Sequence, residues 1–304
     1  MNRRLAIGLL MLTSLMSACV SFHPEPLPNE PEDAEFIETE QARTRFIDVG
    51  EGPPVVLLHG FASSLNVWDT VVPALAENHR VLALDLKGFG WSNRPEGDYS
   101  PAAQAELVWR FLEERGVDET AVVAHSWGSS VALQMAMDKP DRIRRIALYD
   151  AWVYAEQLPS TFVWASAGGI GEMLFGLFYK QRPADKTELA FYDKRYVTYE
   201  FVEEVRSQLD RPGTTAAALA AVRGQRYERV QHKYGRIDVP VLLLWGREDN
   251  VTTVAMGERL VRQLPNAEMI VYPRCGHFPM IEAVHASNDD LAAFLAEAEA
   301  EGTK

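Results

Sequence analysis

Residues 120–136 read TAVVAHSWGSSVALQMA. An unbroken apolar, β-forming run meets the polar pair His125-Ser126, turns at Gly128 and continues with helical periodicity. A buried strand gains nothing by ending on a serine unless the turn that follows projects it. Ala124 and Gly128, two positions to either side of Ser126, are small enough for a tight strand-to-helix turn. Such a turn holds the serine in a strained conformation with its hydroxyl above the sheet edge.

The flanking sequence repeats this arrangement. PPVVLLHG (53–60), RVLALDL (80–86), RRIALYD (144–150), PVLLLWG (240–246) and EMIVY (268–272) are apolar without alternation. Strands of that kind are covered on both faces, as in a parallel sheet flanked by helices. FIET (36–39) and RTRFIDVGEG (43–52) precede them as a strand pair, which predicts an antiparallel start to a mostly parallel sheet. Helices are predicted over LNVWDTVVPALAEN (65–78), from Ser100-Pro101 to near Gly116, over the run after Trp127, over AMGERLVRQL (255–264) and over DDLAAFLAEAEA (289–300). Between 152 and 236 the alternation stops and aromatic-rich helical sequence takes over, too long for a crossover and therefore an inserted cap. The expected organisation is an α/β core over 36–151 and 237–300 with a helical cap over 152–236.

A serine hydroxyl is a weak nucleophile and needs a histidine base oriented by a carboxylate. His277, in RCGHFPMIE (274–282), follows a late strand, and Asp249, in GREDN (246–250), follows the strand before it. Both leave the carboxyl ends of strands, where open α/β sheets place their sites. Asp150 ends a strand at the same edge and is the competing acid. His285 is expected at the surface, and His59 and His125 as hydrogen-bonded structural residues. Asp85 is expected to brace the glycine turn that follows it.

Serine, acid and base in that order, with LLHGF (57–61), DLKGFGWS (85–92), GREDNVT (246–252) and CGHFP (275–279), resemble the α/β-hydrolase superfamily over residues 36 to 298. The resemblance implies Ser126 as nucleophile, Asp249 as acid, His277 as base, and an oxyanion hole from the backbone N–H groups of Phe61 and Trp127. It implies no cofactor and a small-molecule acyl substrate, a carboxylic ester above all. Haloalkane dehalogenase and epoxide hydrolase chemistry is disfavoured because relatives of those types carry aspartate where Ser126 stands. Proline-iminopeptidase-like, perhydrolase and C–C bond hydrolase activities share the triad. A non-catalytic binding module, the alternative of another class, is expected to carry a broken triad.

The chain has 304 residues, 47% hydrophobic and 24% charged, which suits a globular protein with a sizeable core. A formal charge of −13 excludes nucleic acid as a partner, since phosphate binding needs a basic face. There is no HExxH and no CxxC to suggest a metal site. Residues 1–19, MNRRLAIGLLMLTSLMSAC, combine Arg3-Arg4 with a short apolar run ending in small residues, the pattern of a secretory signal. The stretch ending at Cys19 resembles a bacterial lipobox, which implies a signal peptide over 1–18 and lipidation of Cys19 with membrane anchoring in the cell envelope. Val20 lacks the aspartate associated with inner-membrane retention, which favours the outer membrane. Residues 20–35, with four prolines and five acids, are expected to extend this into a solvated tether over 19–35. Cys275, the other cysteine, is read as a small buried packer.

Overall fold

A computed structural model of the chain describes residues 20–302; the expected signal peptide over 1–18 and the expected lipidation site Cys19 lie outside the described residues. Eight strands form one sheet: β1 (Glu35–Glu38), β2 (Arg43–Val49), β3 (Pro54–Leu58), β4 (Arg80–Leu84), β5 (Thr120–His125), β6 (Ile143–Tyr149), β7 (Val241–Gly246) and β8 (Ala267–Tyr272). Their spatial order is β1-β2-β4-β3-β5-β6-β7-β8. β2 pairs antiparallel with β1 and β4, and every other pairing is parallel. The helices are α1 (Val72–Leu75), α2 (Pro101–Glu114), α3 (Gly128–Asp138), α4 (Ser160–Ala165), α5 (Ile170–Phe178), α6 (Pro183–Ala190), α7 (Tyr199–Asp210), α8 (Thr214–Gly224), α9 (Val254–Gln263), α10 (Pro279–Glu282) and α11 (Val284–Gly302).

Apolar residues without alternation are explained by two cores. Val56, Leu58, Val122, Ala124 and Leu243 pack beneath α2 and α3, while Val55, Leu57, Val123, Leu242 and Leu244 pack on the opposite face against Leu291 and Phe294 of α11. Strands β3 to β7 alternate between two buried faces, so no polar face is needed. Register aligns the carboxyl ends. His125 lies opposite Tyr149, Tyr149 opposite Leu244, and Gly246 opposite Tyr272. The four chain segments leaving β5 to β8 therefore emerge at one edge.

Local capping follows the sequence where its signals are strong. The Ser100 hydroxyl accepts from the Ala103 amide, and Pro101 opens α2. Residues 65–78 depart from the expected helix: a 3₁₀ turn at Leu65–Trp68 is followed by the four-residue α1. Pro73 has no N–H and its ring clashes with the carbonyl four residues back, so a continuous helix cannot pass it. Asp85 braces the glycine turn as expected. Its two oxygens accept from the Leu65 and Trp91 amides, each at 2.7 Å, and a Cβ on Gly90 would fall 2.1 Å from its carboxyl carbon.

The acidic, proline-rich segment departs from the tether expectation, because residues 22–30 lie against the domain as a strap. His23 and Arg94 exchange backbone hydrogen bonds at 2.8 Å each way, Phe22 stacks on Tyr99, and Glu30 forms an ion pair with Arg43 at 2.5 Å. Leu27 is 4% exposed. The composition concealed two apolar anchors among the prolines, and burying them offsets the ordering of the segment. Leu27→Ala is expected to lower the unfolding free energy by roughly 2 kcal/mol, measured by urea denaturation. An unchanged midpoint would mean that the strap is a solvated tether after all.

Candidate active site

Ser126 sits at the turn between β5 and α3 with φ of 51°, in the left-handed region that side chains rarely adopt. Three backbone bonds hold it there: its N–H donates to Tyr149 O, and its carbonyl accepts from the Ser129 and Trp152 amides. A Cβ on Gly128 would meet the carbonyl oxygens of His59 and Leu58 at 2.5 and 2.6 Å, which explains the glycine two residues on. Ala124 occupies the matching position on the strand side, fully buried between Leu58 and Leu148. One methyl is accommodated there.

His277 follows β8 and is held from three sides. Its N–H donates to Ala190 O at the end of α6, its carbonyl accepts from His125 Nε2 at 2.8 Å, and its ring Nδ1 bonds Asp249 Oδ2 at 2.8 Å. The His277 and Asp249 side chains are both buried. Asp249 also accepts from the Val251 amide at 2.6 Å, the Thr252 amide at 3.1 Å and the Thr252 hydroxyl at 2.7 Å. Burial pushes the Asp249 carboxyl up, but the His277 charge and these bonds outweigh it and hold the group below the ordinary aspartate value.

Asp150 lies in the same cluster, with ligand atoms of Asp150, Asp249 and His277 within 4.8 Å of one another. Its Oδ1 accepts from the Gly246 amide at 3.0 Å, whereas its Oδ2 has no protein donor and meets the Asp249 carboxyl. Burial, and after it the Asp249 charge, drives Asp150 well above the usual carboxylate range. Four donors reach Asp249 against one for Asp150, an arrangement that favours the charge on Asp249 and the proton on Asp150. Asp249 and the His277 ring are already bonded to each other, so a cation binding among the three would have to break that bond.

Ser126, His125 and His277 line a cavity of about 670 Å³ with Phe61, Phe162 and Phe201. Among the described residues the Ser126 hydroxyl makes no hydrogen bond, and contacts of this kind commonly tighten only when substrate is bound. The amides of Phe61 and Trp127 likewise have no acceptor among the described residues. The structure thus brings Ser126, His277, Phe61 and Asp249 to one edge, with Trp127 immediately after the serine.

The remaining histidines behave as expected. His59 Nε2 accepts from the Leu86 amide and its Nδ1 meets Gly60 O, while burial lowers its pKa. His125 is held far below the ordinary histidine value, by burial first and the His277 charge second, so it stays neutral. His285 is exposed. Cys275 is buried, and burial with the surrounding acids pushes its thiol up, in keeping with a packing role. Sequence reasoning missed Thr252, which donates to Asp249, and Glu282, which accepts from the Gly276, Tyr192 and Asp193 amides and so fastens the His277 loop to the cap. Both stand inside the quoted motifs, but only contacts across the fold reveal their work. A second cavity of about 630 Å³, between the strap and α8, contains none of the site residues.

Comparison with known proteins agrees with this architecture. The chain is 30% identical over 267 residues to a 2-hydroxymuconate semialdehyde hydrolase of Pseudomonas putida, covering 85% of this chain and 92% of that one. An α/β hydrolase fold protein from Burkholderia ambifaria superposes with a TM-score of 0.76 at 26% identity, over 89% of this chain and 99% of the other. A meta-cleavage product hydrolase from Pseudomonas fluorescens IP01 does so with a TM-score of 0.73 at 25% identity, over 87% and 98%. The family model for the alpha/beta hydrolase fold matches residues 53–284, from β3 through the His277 loop, and the chain belongs to that family of hydrolases.

Proposed function

We propose that the protein is a serine hydrolase that cleaves a carboxylic ester or related acyl substrate through an acyl-enzyme on Ser126. The observation that carries this reading is the pair of amides, Phe61 and Trp127, with no acceptor among the described residues, beside a strained serine whose cavity also holds a histidine bonded to a buried carboxylate. With Nδ1–H donated to Asp249, the other ring nitrogen of His277 is free to take the Ser126 proton as the hydroxyl attacks the carbonyl. The two amides receive the oxyanion, each contributing on the order of 10²–10³ in rate. His277 returns the proton to the leaving group, the acyl-enzyme forms, and a water activated by the same imidazole releases the acid.

The cavity wall supports a neutral acyl substrate. Phe61, Phe162, Phe201, Leu209, Phe278 and Ile281 provide an apolar surface for an acyl chain. Asp69 and Glu204 also line it, and Asp69 is raised by burial, opposed by Arg45 and reinforced by Glu204. Lys186, the cation in the lining, donates to the Tyr179 carbonyl at 2.6 Å. A substrate carboxylate would meet two acids there. C–C bond hydrolysis is the second reading, favoured by the hydrolases named among the relatives, and it would use the same serine, acid and base. We also propose that Cys19 is lipidated and anchors the protein in the cell envelope. Among the described residues no helix is long and apolar enough to cross a membrane.

A fluorophosphonate probe is expected to label Ser126 in the purified protein, located by peptide mass spectrometry. Labelling that persists in Ser126→Ala would remove the serine from the mechanism.

Asp249→Asn is expected to lower kcat by roughly 10⁴ by removing the carboxylate that orients the imidazole. Asp150→Asn should cost less than about tenfold, because an amide replaces a carboxyl that is already neutral. A larger loss in Asp150→Asn, with both variants folded by circular dichroism, would exchange the two roles.

The neutral state of Asp150 also has a stability signature. A carboxyl raised in the folded state takes up a proton on folding above its ordinary value of 3.8, so its contribution weakens as pH rises. Asp150→Asn removes that dependence. Its stability relative to wild type should climb between about pH 5 and about pH 7, by at most ~1.4 kcal/mol per pH unit. Urea unfolding at both pH values measures it, and an equal difference at each would mean that Asp150 is ionised.

A further inference from the structure

The cap presents an apolar surface that nothing among the described residues covers. On α5, Ile170, Met173, Leu177 and Phe178 recur at i, i+3, i+7 and i+8, and all are exposed, Leu177 at 53% and Phe178 at 61%. Val163 and Trp164 of the adjoining α4 are 55% and 60% exposed. The opposite side of α5 is buried as well: Phe175 packs on Ala218, Leu219 and Val222 of α8. A Cβ on Gly171 would fall 2.2 Å from Ala165 O and 2.9 Å from the Leu219 side chain. α5 is therefore clamped in place with one apolar side inward and another outward. A helix apolar on all sides is normally buried on all sides, and an exposed apolar patch of this kind marks an interaction surface.

We propose that the outer face of α4 and α5 rests on a phospholipid bilayer and that the enzyme draws acyl esters dissolved in that bilayer into its cavity. The occupant is indicated by where the chain enters the fold. Val20 packs against the same α5–α8 cluster, and its side chain lies 3.6 Å from where a Cβ on Gly176 would stand. A lipid attached to Cys19 is thus one residue from a helix whose outer side is apolar; this step rests on reading Cys19 as the lipidated residue. Acyl chains and apolar side chains then enter the same interface, the two-signal arrangement that makes attachment stable. Lys180 and Arg182 follow α5 directly, both exposed; their ion pairs with Asp210 at 3.7 Å and Asp185 at 3.8 Å are long and solvent-exposed, and anionic headgroups can compete for them. Function follows from the same helices. Phe162 of α4 and Tyr179 after α5 line the catalytic cavity, while their neighbours Val163, Trp164 and Phe178 face outward.

The test uses a chain beginning at Val20, which carries neither signal nor lipid. The family model begins at residue 53, well past Val20, so the shared fold does not draw on residues 1–19. Vesicles of phosphatidylethanolamine and phosphatidylglycerol are added, and partitioning is followed by co-sedimentation and by the blue shift of Trp164 emission. Trp164→Ser with Leu177→Ser and Phe178→Ser should weaken partitioning by at least about tenfold, given the apolar area each side chain buries. The same triple variant should cut hydrolysis of a long-chain ester held in vesicles while sparing a water-soluble short-chain ester. Three results would overturn the proposal: wild type remaining in the supernatant, partitioning indifferent to the triple variant, or a vesicle-free dimer that the triple variant dissolves. Full-length Cys19→Ser, assayed separately for release from cell membranes, tests the lipid anchor. Loss of that reading would leave the vesicle result interpretable, because the Val20 chain contains no lipidation site.

Discussion

Two carboxyl groups buried side by side beneath a histidine can carry only one negative charge. In this fold the charge resides on Asp249, which receives two backbone amides, the Thr252 hydroxyl and the His277 ring. Asp150 receives a single amide and keeps a proton. That asymmetry fixes the imidazole. A charged Asp249 holds the proton on Nδ1 of His277 and leaves the other ring nitrogen unprotonated, as the proposed base requires. If the charge moved to Asp150, the bond that orients His277 would lose its partner.

The proton assignment depends in turn on strand register. Parallel pairing from β5 to β8 brings four chain exits level, so that Ser126, Asp150, Asp249 and His277 converge although more than a hundred residues separate the first from the last two. The strained backbone at Ser126 is tolerated because sheet and helix on either side are fixed by two cores. Such strain costs about 1–3 kcal/mol and persists only where the surroundings determine the conformation more strongly. The tight approach of Gly128 to the backbone of His59 and Leu58 fastens the Ser126 turn to the segment that leads into Phe61.

Most of this was legible in the amino-acid sequence, for reasons that differ by element. Strands buried on both faces leave unbroken apolar runs, and the serine turn leaves small residues at fixed offsets. Those signals are local, so β3 to β8, the elbow and the cap insertion could be read directly. Pro73 was visible too, but the apolar periodicity of residues 65–78 obscured its consequence. Docking of the strap was harder to see, because Phe22 and Leu27 are two apolar residues in a segment dominated by proline and acid. Least legible was the state of Asp150. Its proton comes from burial and from a neighbour ninety-nine positions away, and no local pattern encodes either.

The cap joins the chemistry to its surroundings. Glu282 and Ala190 tie the His277 loop to cap backbone, so His277, the proposed base, is positioned partly by the insertion. The central claim remains the single charge on Asp249, and proton NMR of the wild-type protein tests it most directly. A strongly downfield resonance from the His277 Nδ1 proton is predicted, retained in Asp150→Asn and lost in Asp249→Asn. The reverse pattern, lost in Asp150→Asn and retained in Asp249→Asn, would contradict the account.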